Sequence, residues 1–289
     1  MVKIQWYPGH MEKARRQMTE RLRACDMVIE LRDARIPQAS MNPLLRSISG
    51  NKPRLILLTK CDLADPVQTK KWTEKLSDEQ TVCMEADLLN DNRAAKKIIH
   101  ASLQVMKEKR EKQMARGIRP RAVRAMAAGI PNVGKSTMIN RIIGKKTLKA
   151  EDRPGVTRSL TWIHADPQLD LLDTPGVLWP KFDDEFTGTV LAACGSISDD
   201  IVDVKMLAMD TVRIIQELYP SVLEDIYESG EVNPNGMLKA IAVKRNLVRE
   251  DGAADTKRAA ELFLNEFRKG KLGRISLEHV SEDAEDLHE

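Results

Sequence analysis

Residues 129–136 of the chain, GIPNVGKS, have the glycine and lysine spacing of a phosphate-binding loop. Glycines let backbone N–H groups turn inward around phosphates, and a lysine at this position neutralises the β- and γ-phosphates. We therefore predict that Lys135 binds phosphate and takes part in catalysis, and that Ser136 holds Mg²⁺. The other predicted nucleotide contacts from this stretch are Asn132, Val133, Gly134 and Thr137.

A second motif, DTPG at residues 173–176, follows a short apolar run and begins 38 residues after Lys135 (173 − 135). At this position Asp173 would hold Mg²⁺ through water, and the backbone amide of Gly176 would sense the γ-phosphate. Between the two motifs, Thr157 is the candidate for a mobile threonine that closes on Mg²⁺ and the γ-phosphate. Because a single threonine after a glycine is common, this assignment depends on its position.

A third motif, TKCD at residues 59–62, has the residue types that recognise guanine. Asp62 would accept hydrogen bonds from guanine N1–H and N2–H₂, a pair that adenine cannot offer, and Lys60 would lie across the base plane. The common form begins with Asn, but the Thr59 hydroxyl can still brace the phosphate loop. Cys61 completes the motif, and Glu85 and Ala86, after the next predicted strand, are expected beside the guanine.

The order of these motifs is unusual. In most guanine-nucleotide switches the phosphate loop comes first and the guanine motif last, whereas here residues 59–62 precede residues 129–136. The sequence therefore predicts a circularly permuted GTPase. Restoring the usual order places the cut in the chain just after Gly176, so that the residues after the γ-phosphate sensor run directly into the next part of the protein.

The segments around these motifs predict an α/β fold. Apolar runs at 27–31, 54–58, 81–84, 122–128 and 169–172 alternate with charged, helical stretches, of which 92–115 is the longest. Such alternation is typical of a mostly parallel sheet built from βαβ units. From about residue 181 amphipathic patterns replace the strand-like runs. We expect a circularly permuted P-loop GTPase domain at residues 1–180 and a small all-α C-terminal domain that binds RNA or the ribosome at residues 181–289.

Composition sets looser limits. The chain has 289 residues, of which 42% are hydrophobic and 31% charged, and its net charge of +3 does not by itself indicate nucleic-acid binding. A basic stretch at 107–124 could follow a phosphate backbone or form a solvated helix face, and charge leaves both open. The four cysteines are scattered, which argues against a disulfide framework and a zinc site. No stretch has the length of a signal peptide or a membrane span, so we expect a cytoplasmic protein with no membrane partner.

Together the motifs resemble those of the circularly permuted GTPases of the YlqF type, the ribosome biogenesis GTPase A family. The matching stretches are 6–11 (WYPGHM), 33–37 (DARIP), 129–137, 153–157 and 173–181. The resemblance implies GTP hydrolysis that is coupled to a late step of large (50S) ribosomal subunit assembly through 23S rRNA, with no DNA partner. It also implies that basic residues of the C-terminal domain bind RNA, including Lys257, Arg258, Arg268, Lys269, Lys271 and Arg274.

Two further residues follow from the resemblance. Many GTPases place a water-orienting Gln directly after Asp-x-x-Gly, whereas this chain has Val177, which cannot orient water. His10 is our candidate for that task, because its pKa range suits it and the restored motif order brings the N-terminal segment near Val177. Asn132 resembles an asparagine that coordinates potassium in potassium-stimulated GTPases, which makes K⁺ an expected cofactor beside GTP, GDP and Mg²⁺.

Three other functions remain open at this point. An ATP-dependent kinase or ATPase could use the same phosphate loop, although Asp62 argues for guanine. A nucleotide-gated RNA-binding protein with negligible turnover is compatible with Val177. A permuted GTPase could also serve the small subunit, another RNA particle or an organelle, which the resemblance and the lack of an Arg/Ser-rich presequence disfavour.

Overall fold

The computed structural model describes residues 10–145, 160–179, 182 and 184–281, with side chains from residue 16 onward. Its sheet has six strands in the order β3-β2-β1-β4-β6-β5. The strands are β1 (Met27–Asp33), β2 (Arg54–Thr59), β3 (Thr81–Ala86), β4 (Val123–Gly129), β5 (Thr161–Asp166) and β6 (Leu169–Asp173). Neighbouring strands are parallel except β5, which is antiparallel to β6. The predicted mostly parallel α/β sheet is confirmed.

In the described part of the chain, six helices precede or connect the strands. They are α1 (His10–Leu22), α2 (Pro43–Ser49), α3 (Pro66–Lys75), α4 (Ala94–Val105), α5 (Lys107–Ala115) and α6 (Lys135–Ile143). The start of α3 shows how the sequence sets these bounds. Pro66 occupies the first turn, and the Asp65 carboxylate accepts hydrogen bonds from the N–H groups of Val67 and Gln68, which have no partner within the helix.

The sheet register brings the motifs together. Asp33, Thr59 and Ala86 end three neighbouring strands and are paired in register, while Ala127 near the end of β4 is paired with Asp173. Since the carboxyl ends of parallel strands lie at one edge, the loops that follow them share that edge. In open α/β sheets this is where ligands bind.

The structure differs from the sequence prediction in two elements. The predicted helix over 92–115 is divided at Met106, which is 2% exposed. Helix α4 buries one face against the sheet whereas α5 buries no residue, so the helix is interrupted where Met106 enters the core. Strand β5 was not predicted because it lies at the sheet edge and consists mostly of exposed and half-buried residues instead of forming an apolar run.

After β6 the described elements are helical, as the sequence predicts. They are α7 (Glu185–Ala193), α8 (Val204–Leu218), α9 (Val222–Tyr227), α10 (Pro234–Lys244) and α11 (Thr256–Arg268), with a 3₁₀ turn at Asp199–Ile201. Helices α8, α10 and α11 pack on one another, and α11 buries Phe263 and Phe267. These side chains belong to one hydrophobic cluster with many of the sheet's buried side chains, whereas Ile56, Leu58 and Cys83 of β2 and β3 belong to a second cluster.

The cysteines and the helix lengths complete the description of the fold. Cys25, Cys61, Cys83 and Cys194 are all buried and are not joined in disulfides. Within the described part of the chain, no helix is both long and apolar enough to cross a bilayer.

Candidate nucleotide-binding site

The phosphate loop connects β4 to α6. Asn132 (φ 57°) and Gly134 (φ 100°) are both in the left-handed region, which turns the backbone around the space in front of the helix. Lys135 is buried, and its Nζ donates to the carbonyl oxygens of Gly129 (3.0 Å) and Ile130 (2.8 Å). The predicted residues Ser136 and Thr137 lie in the first turn of α6, whose N-terminal dipole favours a bound anion.

The segment after β6 lies directly against this loop. The Thr174 hydroxyl donates to the Ala127 carbonyl at 2.8 Å, which ties the segment to β4. At Gly176 there is no room for a side chain, since an added Cβ would lie 2.8 Å from Pro131 Cα and 3.0 Å from Lys135 Nζ. The backbone at Gly176 therefore adjoins both the loop and the lysine, as a γ-phosphate sensor requires.

Lys135 and Asp173 face each other in this buried region. Burial lowers the pKa of Lys135 to about 8 and raises the pKa of Asp173 to about 6, while the attraction between the two groups opposes both shifts. Asp173 is 3% exposed, and its Oδ1 has no hydrogen-bond partner among the described residues. A buried carboxylate oxygen of this kind fits a Mg²⁺ ion or its water ligand.

The guanine motif begins where β2 ends. The Thr59 hydroxyl lies 2.7 Å from the carbonyl oxygen of Val133 and 3.0 Å from that of Arg32, and it donates to one of them at a time. The predicted brace between this threonine and the phosphate loop is therefore present. Lys60 has φ 55°, and its Nζ lies 3.0 Å from Asp33 Oδ2. This ion pair holds the stem of Lys60 at the end of β1.

Asp62 is half-buried, beside the buried Cys61. Its pKa is raised by burial and by the negative charge of Asp87, and the charges of Arg35 and Arg274 oppose that shift. Glu85 is exposed, whereas Ala86 is buried next to Thr59 in the register of β2 and β3.

Asp33 and Arg35 form a buried pair in the loop after β1. Arg35 donates to both carboxylate oxygens of Asp33, from Nε at 2.9 Å and from Nη2 at 2.7 Å. The Arg35 guanidinium also approaches the Cys194 carbonyl (3.4 Å) and lies 5.3 Å from the ring centroid of Phe267. The pair therefore connects Lys60 to the ends of α7 and α11.

The phosphate loop has its own connection to α7. The Asn132 amide nitrogen donates to the Gly195 carbonyl oxygen at 2.8 Å. The bond to Gly195 orients the side chain at the start of the loop.

Val177, at the position where many GTPases have a glutamine, is 3% exposed. Its carbonyl oxygen accepts a 2.7 Å hydrogen bond from the Asn42 side chain, just before α2. His10 opens α1, but its side chain lies outside the described residues, as do Thr157 and the resembling stretches 6–9, 153–157 and 180–181.

Several functional contacts have no signal in the sequence. Asn42, Thr174 and Arg274 meet the site through hydrogen bonds to backbone carbonyls 47 to 213 residues away along the chain. Two of the basic residues expected to bind RNA are engaged within the protein. Arg268 donates to the carbonyls of Ala192 and Ala193 and pairs with Asp199, and Arg274 donates to the guanine motif.

The basic stretch 107–124 is also partly engaged. Lys109 and Arg121 both pair with Asp26, and Arg124 lies over the Trp162 ring. Within helix α5, Lys112 pairs with Glu108, and the helix as a whole is exposed.

Comparisons with known proteins show the family of this chain. A family model described as 50S ribosome-binding GTPase matches residues 124–238. The chain is 43% identical to ribosome biogenesis GTPase A of Priestia megaterium, over 98% of this chain and 99% of that protein. It is 33% identical to the probable ribosome biogenesis GTPase A of Mycoplasma genitalium, over 96% of this chain and 97% of the relative.

Solved structures give the same result. The chain resembles GNP-bound YlqF from T. maritima with a TM-score of 0.64 and 26% identity, covering 92% of this chain and 98% of that one. A GDP-bound TM YlqF matches with a TM-score of 0.66 and 26% identity, over 91% of this chain and 98% of that one.

Proposed function

This chain belongs to the ribosome biogenesis GTPase A family, and from that premise we propose that it acts on the large (50S) ribosomal subunit, through 23S rRNA, at a late step of assembly. It is a ribosome biogenesis GTPase that binds GTP and GDP, hydrolyses GTP and associates with a ribosomal particle. The large subunit in particular is supported by the family description, a 50S ribosome-binding GTPase.

The proposed position of the nucleotide rests on one observation: the loops that follow β2, β3 and β4 lie at the same edge of the sheet. The guanine lies at the end of β2, where Asp62 accepts from its N1–H and N2–H₂ groups and Lys60 covers the base. Ala86 and the exposed Glu85 flank the base from the end of β3. The phosphates lie in the loop after β4, where Lys135 turns from the carbonyls of Gly129 and Ile130 to the β- and γ-phosphate oxygens.

Mg²⁺ is general for such GTPases, and the donor atoms present fit it. Ser136 in the first turn of α6, the unpaired carboxylate oxygen of Asp173 and, from outside the described residues, Thr157 would hold the ion. When bound, Mg²⁺ neutralises charge on the β- and γ-phosphate oxygens. Gly176 then presents its N–H to the γ-phosphate, and Lys135 compensates the charge that develops in the transition state.

The attacking water needs a polar group that Val177 does not supply. We assign this role to His10, at the start of α1. Helix α1 packs on α2, and the Asn42 side chain just before α2 bonds the Val177 carbonyl, so α2 and its flanking residue contact both α1 and the sensor segment.

Potassium binding at Asn132 is a separate proposal. It is supported by the position of this asparagine in the phosphate loop and by the bond that orients its amide toward Gly195. Hydrolysis should be faster in K⁺ than in Na⁺, and Asn132→Gly should remove the difference. Glycine is the suitable replacement because residue 132 has a left-handed backbone. Equal rates of the unaltered protein in the two salts would overturn the proposal.

We propose that residues 1–180 form the GTP-binding domain and residues 181–289 the RNA- and ribosome-binding domain. The chain that follows Gly176 leads to α7, and the contacts between the two regions include the bond from Asn132 to Gly195, two residues after α7, and the bond from Arg35 to the Cys194 carbonyl. A change at the γ-phosphate would thereby reach the helices. A cytoplasmic location stays a prediction from the sequence.

Steady-state GTP hydrolysis in K⁺, measured alone and with purified large or small subunits, tests the function. We expect stimulation by the large subunit and little by the small one. Stimulation by the small subunit alone would favour the other assembly role, and no turnover with either would favour a nucleotide-gated RNA-binding protein. Lys135→Ala is the matched inactive control, and competition by ATP distinguishes an adenine enzyme.

A further inference from the structure

The chain returns to the guanine motif after its last helix. Two glycines with left-handed backbones, Gly270 (φ 69°) and Gly273 (φ 91°), reverse its direction after α11. Residues 274–280, which we name the C-terminal segment, then lie along the loop that follows β2. An added Cβ at Gly270 would lie 2.7 Å from the Leu63 side chain, so the turn already touches this loop.

Arg274 holds the loop from both sides of Asp62. Its Nη2 donates to the Cys61 carbonyl at 2.7 Å and its Nε to the Ala64 carbonyl at 2.8 Å. The next residue, Ile275, donates its backbone N–H to the Leu63 carbonyl at 3.0 Å. Three of the four carbonyl groups from residue 61 to residue 64 are thus bonded to the C-terminal segment.

The rest of the segment is bonded to the loop after β1 and to helix α3. The Leu277 N–H donates to the Arg35 carbonyl, and the buried Glu278 carboxylate accepts from the N–H groups of Gln38 (2.7 Å) and Ala39 (2.9 Å). The Trp72 indole N–H on α3 donates to the Glu278 carbonyl. The residues that follow Arg274 are therefore held by several hydrogen bonds, which support a group that positions another residue.

The loop that Arg274 holds carries the residue assigned to the guanine base. The Cys61 carbonyl precedes Asp62 directly, so the bond from Arg274 fixes the plane of the peptide that leads into it. The positive charge of Arg274 also favours the ionised form of Asp62, against burial and the neighbouring Asp87. An ionised carboxylate is the form that accepts both guanine N–H groups.

We propose that Arg274 is a positioning residue for guanine recognition: by bonding the carbonyls of Cys61 and Ala64, it sets the Asp62 carboxylate against the base. The inference deepens the proposed function and rests on its assignment of Asp62. It gives the end of the helical region a part in nucleotide specificity. It also means that the donors of Arg274 serve the guanine loop and not RNA.

The test measures discrimination between GDP and inosine diphosphate, which lacks the N2 amine. Titrations of the full-length protein with Arg274→Ala should show GDP bound about 10-fold more weakly, while inosine diphosphate loses less, so that the ratio of the two affinities falls at least 3-fold. A site built to bond a group rejects the analogue without it only when its acceptor is in place. The affinity ratio of Arg274→Lys, which keeps the charge and one donor group, should lie between that of the unaltered protein and that of Arg274→Ala.

Arg268→Ala is the matched control, since it removes a similar arginine whose Nε and Nη2 also donate to backbone carbonyls, at the end of α7. It should leave the affinity ratio unchanged. An unchanged ratio in folded Arg274→Ala, or an equal loss for both nucleotides, would overturn the proposal. Should Arg274→Ala fail to fold, Arg274→Lys decides by the same ratio.

Asp62→Ala separates this inference from the proposed function. If Asp62 recognises guanine, this variant abolishes the discrimination, and adding Arg274→Ala changes the ratio no further. If Asp62→Ala keeps full discrimination, the base assignment itself is wrong. If Asp62→Ala loses discrimination while Arg274→Ala keeps it, the assignment stands and the positioning role of Arg274 is refuted.

Discussion

Replacing Asp33 by Asn removes the central charge of the network behind the guanine motif. The carboxylate accepts from the backbone N–H and guanidinium of Arg35 and pairs with Lys60 Nζ at 3.0 Å. The side chains of Asp33 and Arg35 are each 1% exposed, and Arg35 Nη1 has no hydrogen-bond partner among the described residues. Asp33→Asn would therefore leave a buried guanidinium without a counter-charge.

Removing one partner of a buried ion pair costs about 3–5 kcal/mol. We expect Asp33→Asn to lower the free energy of unfolding by this amount, because the Asn amide places N–H donors against those of Arg35. Arg35 and Lys60 hold the pKa of Asp33 far below its usual range, so its stabilisation is present above about pH 4 and is lost as the pH falls further.

Equilibrium unfolding in urea, followed by circular dichroism, measures this cost. Asp251→Asn is the control, because it breaks a similar Arg–Asp pair that is fully exposed, and it should leave the midpoint unchanged. The double variant Asp33→Asn/Arg35→Met should recover part of the loss, since no buried charge of the pair remains. A cost below about 1 kcal/mol for Asp33→Asn, or no recovery in the double variant, would refute the reasoning.

Three further outcomes are expected. Thr59→Val should speed dissociation of a fluorescent GDP about 5-fold or more, because the Val133 carbonyl loses its donor at a cost of about 1–3 kcal/mol; an unchanged rate would show that the hydroxyl does not brace the loop. His10→Ala should lower kcat about 100-fold or more with nearly unchanged GTP affinity, and full activity would exclude His10 as the group that orients water. Burial raises the pKa of Glu278 from 4.5 to about 7, so the folded state binds its proton more tightly and stability falls as the pH rises across that window. Between pH 5 and pH 8 the free energy of unfolding should fall by about 3 kcal/mol more in the unaltered protein than in Glu278→Gln. An equal fall in both proteins, measured by urea unfolding at the two pH values, would contradict this.

The strands that carry the site were predictable because each is a local apolar run followed by polar residues. Strand β5 was not, since its edge position leaves it half exposed, and the break at Met106 was not, since helical periodicity continues through it. Glu85 and Ala86 were expected beside the guanine only because they follow the next predicted strand. Asp87, one residue further, is the acidic neighbour that acts on Asp62.

The predicted chemistry of this protein and the permuted order of its motifs follow from the sequence alone. Phosphate and guanine recognition depend on residue types at fixed short spacings, which the chain states directly, and the position of the cut follows from the order of the motifs. The tertiary structure decided how these motifs are held. Arg274 lies more than 200 residues from the loop that it bonds, and Asn132 and Arg35 meet the end of α7 through single hydrogen bonds. Contacts of this kind have no local period or spacing, because they exist only once the helices have packed against the sheet.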